Sequence, residues 1–137
     1  MGYTFQFNNS LISWSSKRGT LVTLSVTEAE LYALAYASTE AIYLKSFISE
    51  VLNTQLEPIL INTDSESTWK IIKTPEEQHT QRTKHFEIQK NFIIDRIKQK
   101  YIAVKHIPGD NNPADLLTKA LSADKNKCFS QLLGINV

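Results

Sequence analysis

The chain carries a single cysteine, Cys128, which excludes an internal disulfide framework and any Cys-rich zinc site. No apolar run approaches the roughly 18–20 residues that a membrane span needs, and the N-terminus lacks the charged-then-apolar pattern of a signal peptide. A reducing, intracellular setting without a membrane is therefore the expectation. The net charge of +1 supplies no global drive toward nucleic acid or lipid. Carboxylates are missing from the N-terminal region: residues 1–27 contain neither Asp nor Glu, and Glu28 is the first. What is present suits one compact domain, with 137 residues, 42% of them hydrophobic and 21% charged.

The near-neutral total hides an asymmetry. Residues 20–80 hold three basic and nine acidic side chains, whereas residues 81–106 hold seven basic and two acidic ones. Two solvated helix faces of opposite sign would explain this. So would a protein that handles both metal ions and a phosphate backbone.

Tyr3-Thr4-Phe5-Gln6-Phe7 alternates aromatic and polar residues as a half-buried strand does, Asn8-Asn9 signals a turn, and Leu11–Trp14 reads as the returning strand. Lys17-Arg18-Gly19 predicts a second turn and Thr20–Leu24 a third strand. The period then changes. From Thr27 to about Leu52, Leu31, Leu34, Ala35, Ala41 and Ile42 share one helical face with the small Ser38, and both Ser25-x-x-Glu28 and Thr27-x-x-Glu30 fit a capping box. Pro58–Thr63 reads as a buried parallel strand, followed at Asp64-Ser65 by a short helix through Trp69, Ile71 and Ile72. Pro75–Thr80 reads as a loop, Thr83–Gln99 as a helix, and Tyr101–Ile107 as a strand. Asn112-Pro113 marks a helix start, and a last helix runs from about Asp124 to Leu133 with Gly134 beyond it. The order βββ-α-β-α-α-β-α-α, without repeats or linkers, predicts a single α/β domain over residues 1–137, an antiparallel meander plus parallel strands flanked by helices.

Three carboxylates occupy special places. Glu30 lies in the first turns of the long helix, Asp64 at the carboxyl end of the buried strand, and Asp115 at the third residue of the Asn112-Pro113 helix. Open α/β sheets place ligands at strand carboxyl ends, and a few carboxylates suffice for Mg²⁺. Each has a structural alternative: Glu30 as the second half of a capping box, Asp64 as an N-cap, and Asp115 as a complement to the helix dipole. Glu28 and Glu30 lie about 200° apart around the helix, each flanking the apolar stripe. Arg82, Lys84 and His85 open one helix, with Lys90, Arg96, Lys98 and Lys100 along it, and Lys17 and Arg18 sit at an expected hairpin tip. Such cations could grip phosphates, although Lys98 and Lys100 read better as surface solvation. Trp14 and Trp69 read as core residues and Cys128 as packed.

The runs Ile12-Ser13-Trp14-Ser15-Ser16-Lys17-Arg18 and Thr23–Leu34, then Thr63-Asp64-Ser65, Arg82-Thr83-Lys84-His85-Phe86 and Ala114–Leu121, closely resemble in order the ribonuclease H domain of copia-type retrotransposon Pol polyproteins. The resemblance spans nearly the whole chain. It implies a ribonuclease H-like mixed sheet of five strands flanked by helices, and Mg²⁺- or Mn²⁺-dependent cleavage of the RNA strand of an RNA–DNA hybrid during reverse transcription. Glu30, Asp64 and Asp115 match the family's catalytic, metal-holding carboxylates, and His106, or a residue of the Pro108–Asn112 loop such as Asp110, matches the neighbourhood of its mobile histidine. The implied partners are the hybrid and the reverse transcriptase region of the parent polyprotein, in the cytoplasm, a virus-like particle or the nucleus.

One departure bears on activity. In this family a central first strand carries an Asp that bridges both metals, and it lies upstream of the segment matching Gly2-Tyr3-Thr4-Phe5. Two readings follow. A strand from another copy, giving a homodimer through exposed strand edges, or from an upstream segment completes the sheet, or Tyr3–Phe7 takes the vacant place without a carboxylate. Alternatively the chain is an inactive relic that keeps the fold as a binding or assembly module.

Overall fold

The computed structural model of the chain describes residues 1–19, 25–74 and 84–135. The expected strand Thr20–Leu24, the loop Pro75–Thr80 and Arg82 lie outside the described residues. The architecture is mixed α/β, consistent with a ribonuclease H-like fold: the described residues form one antiparallel and one parallel two-stranded sheet with four α-helices. The chain divides into two compact units, one formed by Met1–Val22 with Pro108–Val137 and the other by Thr23–Ile107.

In the first unit, β1 (Gly2–Phe7) and β2 (Ser10–Ser16) form an antiparallel hairpin. Asn8 and Asn9 both take positive φ, 49° and 60°, which is what a two-residue type I′ turn demands and what Asn tolerates better than most side chains. The pairing shifts between Phe5 and Gln6, so the ladder carries a bulge there. Phe5 of β1 is buried, as are Phe129 and Leu133 at the far end of the unit's sequence. Two side chains tie the hairpin to that C-terminal part. Gln6 Nε2 donates to the Leu132 carbonyl at 2.6 Å, and Ser16 Oγ to the Leu117 carbonyl at 2.7 Å.

The helix expected at Asn112-Pro113 is present but short. Asn112 caps it by accepting from the Ala114 N–H at 3.2 Å and Pro113 stands in its first turn, yet residues Pro113–Leu117 form a 3-10 turn rather than an α-helix. Helix α4 (Ala123–Leu132) follows, capped by Ser122. Gly134 sits at φ 71° beyond its end, where an added Cβ would come within 2.6 Å of the Asn9 carbonyl oxygen.

The second unit is built on α1 (Val26–Leu52), which buries Leu31, Leu34, Ala35, Ala37, Ala41 and Leu44. Ser38 is fully buried on the same face and satisfies its hydroxyl on the Leu34 carbonyl at 2.7 Å. Strands β3 (Ile59–Thr63) and β4 (Ile102–His106) pair in parallel, joined by the crossover helices α2 (Glu66–Lys73) and α3 (Lys84–Lys98). Strand β3 is not the doubly buried strand that its apolar run predicts. Ile61 and Thr63 are buried, while Leu60 is 53% exposed and Asn62 faces solvent. With two strands among the described residues and one covered face, the ladder gives the run Ile59–Ile61 the alternation of a half-buried strand.

Candidate functional site

In the second unit, the hydrogen bonds assign the helix caps that the sequence leaves open, and both fall to serines. Ser25, not Thr27, caps α1: its side chain accepts from the Glu28 N–H at 3.1 Å. Glu28 is buried and its charge reaches Tyr32, whose phenol is raised above its ordinary value by burial first and by Glu28 second. Glu30, half-buried, is therefore not the capping partner of Thr27. The Thr27 hydroxyl instead lies 3.1 Å from that of Ser67, which lies 3.2 Å from that of Ser65.

Asp64 is likewise not an N-cap. Ser65 takes that role in α2, accepting from the Thr68 N–H at 3.3 Å and donating to Thr68 Oγ1 at 2.8 Å, while its own N–H donates to Thr63 Oγ1. Asp64 follows directly on β3, half-buried, with no hydrogen bond or ion pair among the described residues. The Thr27–Ser67–Ser65 hydroxyl chain joins the first turn of α1 to the start of α2. It thereby brings the backbones of Glu30, one turn after Thr27, and Asp64, next to Ser65, to the same end of the unit.

The same strand end carries His106. It pairs in register with Thr63, is half-buried, and stands against Trp69 with ring centroids 6.4 Å apart. Trp69 is thus half-buried at the site rather than deep in the core, and Lys73 Nζ lies over its ring, 5.9 Å from the centroid. Glu66 in the first turn of α2 was not singled out by sequence reasoning. Its carboxyl is held below the usual range by a 2.7 Å hydrogen bond from Lys70, then by the charges of Lys70 and His106. Its position two residues beyond a strand-end Asp was the available signal.

The cations divide. Lys84 and His85 are exposed at the start of α3, where a phosphate could reach them. Lys90 is not on that surface: it is 2% exposed, 3.8 Å from Glu87. It stands on the buried stripe Phe86–Lys90–Ile93, where its aliphatic stem fills a core position. Arg96 is engaged internally, over Phe92 and Tyr101 and bonded to Gln99 Oε1 at 2.7 Å. Lys98 and Lys100 are exposed.

In the first unit, Asp115 lies in the 3-10 turn with its side chain 14% exposed and Oδ2 3.0 Å from Lys119 Nζ. Its carboxylate faces a lysine cation rather than serving only the helix dipole. Asp110 pairs with Lys125 at 2.6 Å, and that hydrogen bond and charge hold its carboxyl below the ordinary value. Lys17 and Arg18 follow β2 in exposed positions, beside the Met1–Lys17 backbone pair that closes the open end of the hairpin, opposite the Asn8-Asn9 turn. Trp14 is 60% exposed rather than core, because its strand turns Leu11, Ser13 and Ser15 inward. It lines an apolar groove of about 540 Å³ with Leu116, Leu117 and Leu133. Cys128 is exposed rather than packed, since Phe129 takes the buried position.

Among the described residues, no group of three or more His, Cys, Asp or Glu side chains is gathered closely enough to hold a metal ion. The carboxylates of Glu30 and Asp64 are hard oxygen donors of the kind that Mg²⁺ takes.

No family model matches the chain. It is 33% identical over 135 residues, 98% of its length, to the retrovirus-related Pol polyprotein from transposon TNT 1-94 of Nicotiana tabacum. It is 30% identical over 134 residues to that from transposon RE1 of Arabidopsis thaliana, and 32% identical over 124 residues to the Ty1-NL2 Gag-Pol polyprotein of Saccharomyces cerevisiae. Its homologues are thus copia-type retrotransposon Pol polyproteins. The chain spans about a tenth of the length of these curated relatives, 10%, 9% and 7% respectively. No solved structure matches it.

Proposed function

We propose, from this homology, that the chain is the ribonuclease H-type domain of a copia-type retrotransposon Pol polyprotein and hydrolyses the RNA strand of RNA–DNA hybrids during reverse transcription. The observation that carries the reading is Asp64, half-buried at the carboxyl end of a parallel strand pair while Ser65 does the capping. Nothing in the local fold requires a carboxylate there. Glu30 stands at the same end of the unit, and the family resemblance adds Asp115, of the first unit, as the third carboxylate. These residues would hold Mg²⁺ or Mn²⁺, which when bound supplies an activated water and a stabilised leaving oxygen. Lys84 and His85, with Arg82 next to them in sequence, bind the hybrid's phosphates, and Lys17 and Arg18 a second backbone. His106 and Asp110 would be auxiliary, with the imidazole as the group that carries a proton. The reverse transcriptase region of the parent polyprotein would deliver the hybrid, in the cytoplasm, a virus-like particle or the nucleus.

A second reading draws on the lack of a three-carboxylate group among the described residues. On it the chain keeps the fold as a nucleic-acid-binding or homo-oligomeric assembly module without turnover. Cleavage of a labelled RNA–DNA hybrid in Mg²⁺ and in Mn²⁺ separates the two. We expect Asp64→Asn to lower cleavage about a hundredfold or more while leaving the urea midpoint unchanged. Equal silence of wild type and variant would overturn the nuclease reading for this chain.

A further inference from the structure

In the first unit, Trp14 stands 60% exposed on β2, and its strand neighbours are too short to cover the indole. Thr4 faces it across the ladder, and Ser16, two residues along the same strand, turns its hydroxyl to the Leu117 carbonyl at 2.7 Å. The ring lines the groove of about 540 Å³ together with Leu116, Leu117, Leu133 and Ile135. That volume falls within the roughly 300–1,000 Å³ of small-ligand sites. No charged side chain is in the lining, and its side-chain hydroxyls are those of Thr4 and Ser10. An open aromatic plate, an aliphatic floor and two hydroxyls suit a flat ring with apolar faces and polar edges.

The unit's charge bears on what such a ring is attached to. Its basic residues, Lys17, Arg18, Lys119, Lys125 and Lys127, outnumber Asp110, Asp115 and Asp124. Two of those carboxylates already face lysines, Asp115 at 3.0 Å from Lys119 and Asp110 at 2.6 Å from Lys125. Lys17 and Arg18 follow Trp14 by three and four residues, at most about 14 Å of extended chain. The Ser16–Leu117 bond fixes the end of β2 at the rim of the groove, so both cations set out from that edge.

We infer that the groove beside Trp14 takes an unpaired nucleotide of a single-stranded nucleic acid. The base stacks on the indole, and the phosphates run toward Arg18 and Lys17. Stacking on an aromatic plate and attraction to cations both tolerate any base, which gives binding without sequence preference. A docked protein helix would need apolar contacts repeated over several turns, whereas the apolar lining here is confined to one pocket. A second copy would bring the same cationic excess, which repels its like. The inference rests on the nuclease reading in one respect, that Lys17 and Arg18 meet a phosphate backbone. It goes beyond that reading with a single-strand site that uses neither Glu30 nor Asp64 nor a metal.

The test is binding of the full chain, in EDTA so that no cleavage intervenes, to a fluorescein-labelled oligothymidylate of about 12 nucleotides, followed by anisotropy. Trp14→Ala should weaken binding about tenfold, and Trp14→Phe by less than about threefold, because phenylalanine still offers a ring to stack on. Tryptophan emission should fall as the wild type binds an unlabelled oligothymidylate and stay level in Trp14→Phe, where Trp69 is the remaining tryptophan. Arg18→Ala should lower the slope of log K against log salt by about 0.7. Trp14 and Arg18 are both exposed, so the variants should keep the wild-type circular dichroism spectrum. A wild type that ignores the oligonucleotide, affinity indifferent to Trp14→Ala, or quenching that persists in Trp14→Phe would overturn the proposal. So would an acidic peptide, or a dimer, whose binding Trp14→Ala abolishes while the oligonucleotide binds as before. Silence in hybrid cleavage with this binding intact would count against the nuclease reading alone.

Discussion

Lys90 shows how one residue can be misread by its charge. By type it joins Lys84, Arg96 and Lys98 in a basic helix, and by position it joins Phe86 and Ile93 in the core. Position prevails because the four-carbon stem can fill apolar space while the ammonium reaches Glu87. Two measurements check this. Lys90→Met should leave the urea unfolding free energy within about 1 kcal/mol of wild type, whereas Lys90→Ala should cost about 2–4 kcal/mol through the space it vacates. In hybrid binding, Lys90→Met should leave the salt dependence unchanged, whereas Lys84→Ala should lower the slope of log K against log salt by about one. A reduced slope in Lys90→Met would return Lys90 to the surface. Asp64 teaches the complementary lesson. Sequence reasoning found it but could not free it from a capping role, because Asp64 and Ser65 are both good caps and adjacent. Only the observed Ser65–Thr68 bond assigns the cap to its neighbour.

Among the elements, three helices end in the same way. Asn53, Lys100 and Gly134 each stand in the left-handed region just past α1, α3 and α4, at φ 49°, 60° and 71°. In each case the next two amides reach back: Asn53 to Glu50 and Thr54 to Ser49, Lys100 to Ile97 and Tyr101 to Arg96, Gly134 to Gln131 and Ile135 to Ser130. This satisfies carbonyls that a helix end otherwise leaves open. Glycine suits the position and asparagine tolerates it, but lysine bears the strain of its Cβ against the backbone. Lys100→Gly is therefore expected to raise stability by about 0.5–1 kcal/mol, read as a higher urea midpoint at unchanged m-value. A lower midpoint would show that the Lys100 side chain contributes more than its backbone costs. The Gly134 ending was legible in sequence. The Lys100 ending was not, because nothing in a lysine marks a left-handed residue.

For the molecule as a whole, the two units differ in how much apolar surface they bury. Among the described residues the second unit holds eleven buried apolar side chains, from Leu31 to Ile102, and the first holds Phe5, Phe129 and Leu133. A two-stranded hairpin is marginal unless something packs on it. Native-state hydrogen exchange should therefore find the slowest amides in α1 between Leu31 and Leu44 and around Ile93, with β1 and β2 opening at lower free energy. Uniform protection across both units would mean that the chain unfolds as one cooperative block.

Sequence alone determined the kinds of element and most of their ends, because hydrophobic period, turn residues and caps act over a few neighbours. The hairpin at Asn8-Asn9, the amphipathic α1 with Ser38 on its buried face, and the parallel strand ending before Asp64 were all written in local pattern. Sequence pattern also put Asp64 at the end of a strand and Asp115 in the first turn after Asn112, whereas the choice of Glu30 over Glu28 came from the family resemblance and not from helix geometry. Tertiary structure alone decided which Ser caps α1 and α2, that Lys90 is core while Trp14 and Cys128 are surface, and that Leu60 faces solvent. Those outcomes depend on which faces are covered and which donors meet which acceptors across distant segments. No local window of sequence contains that information.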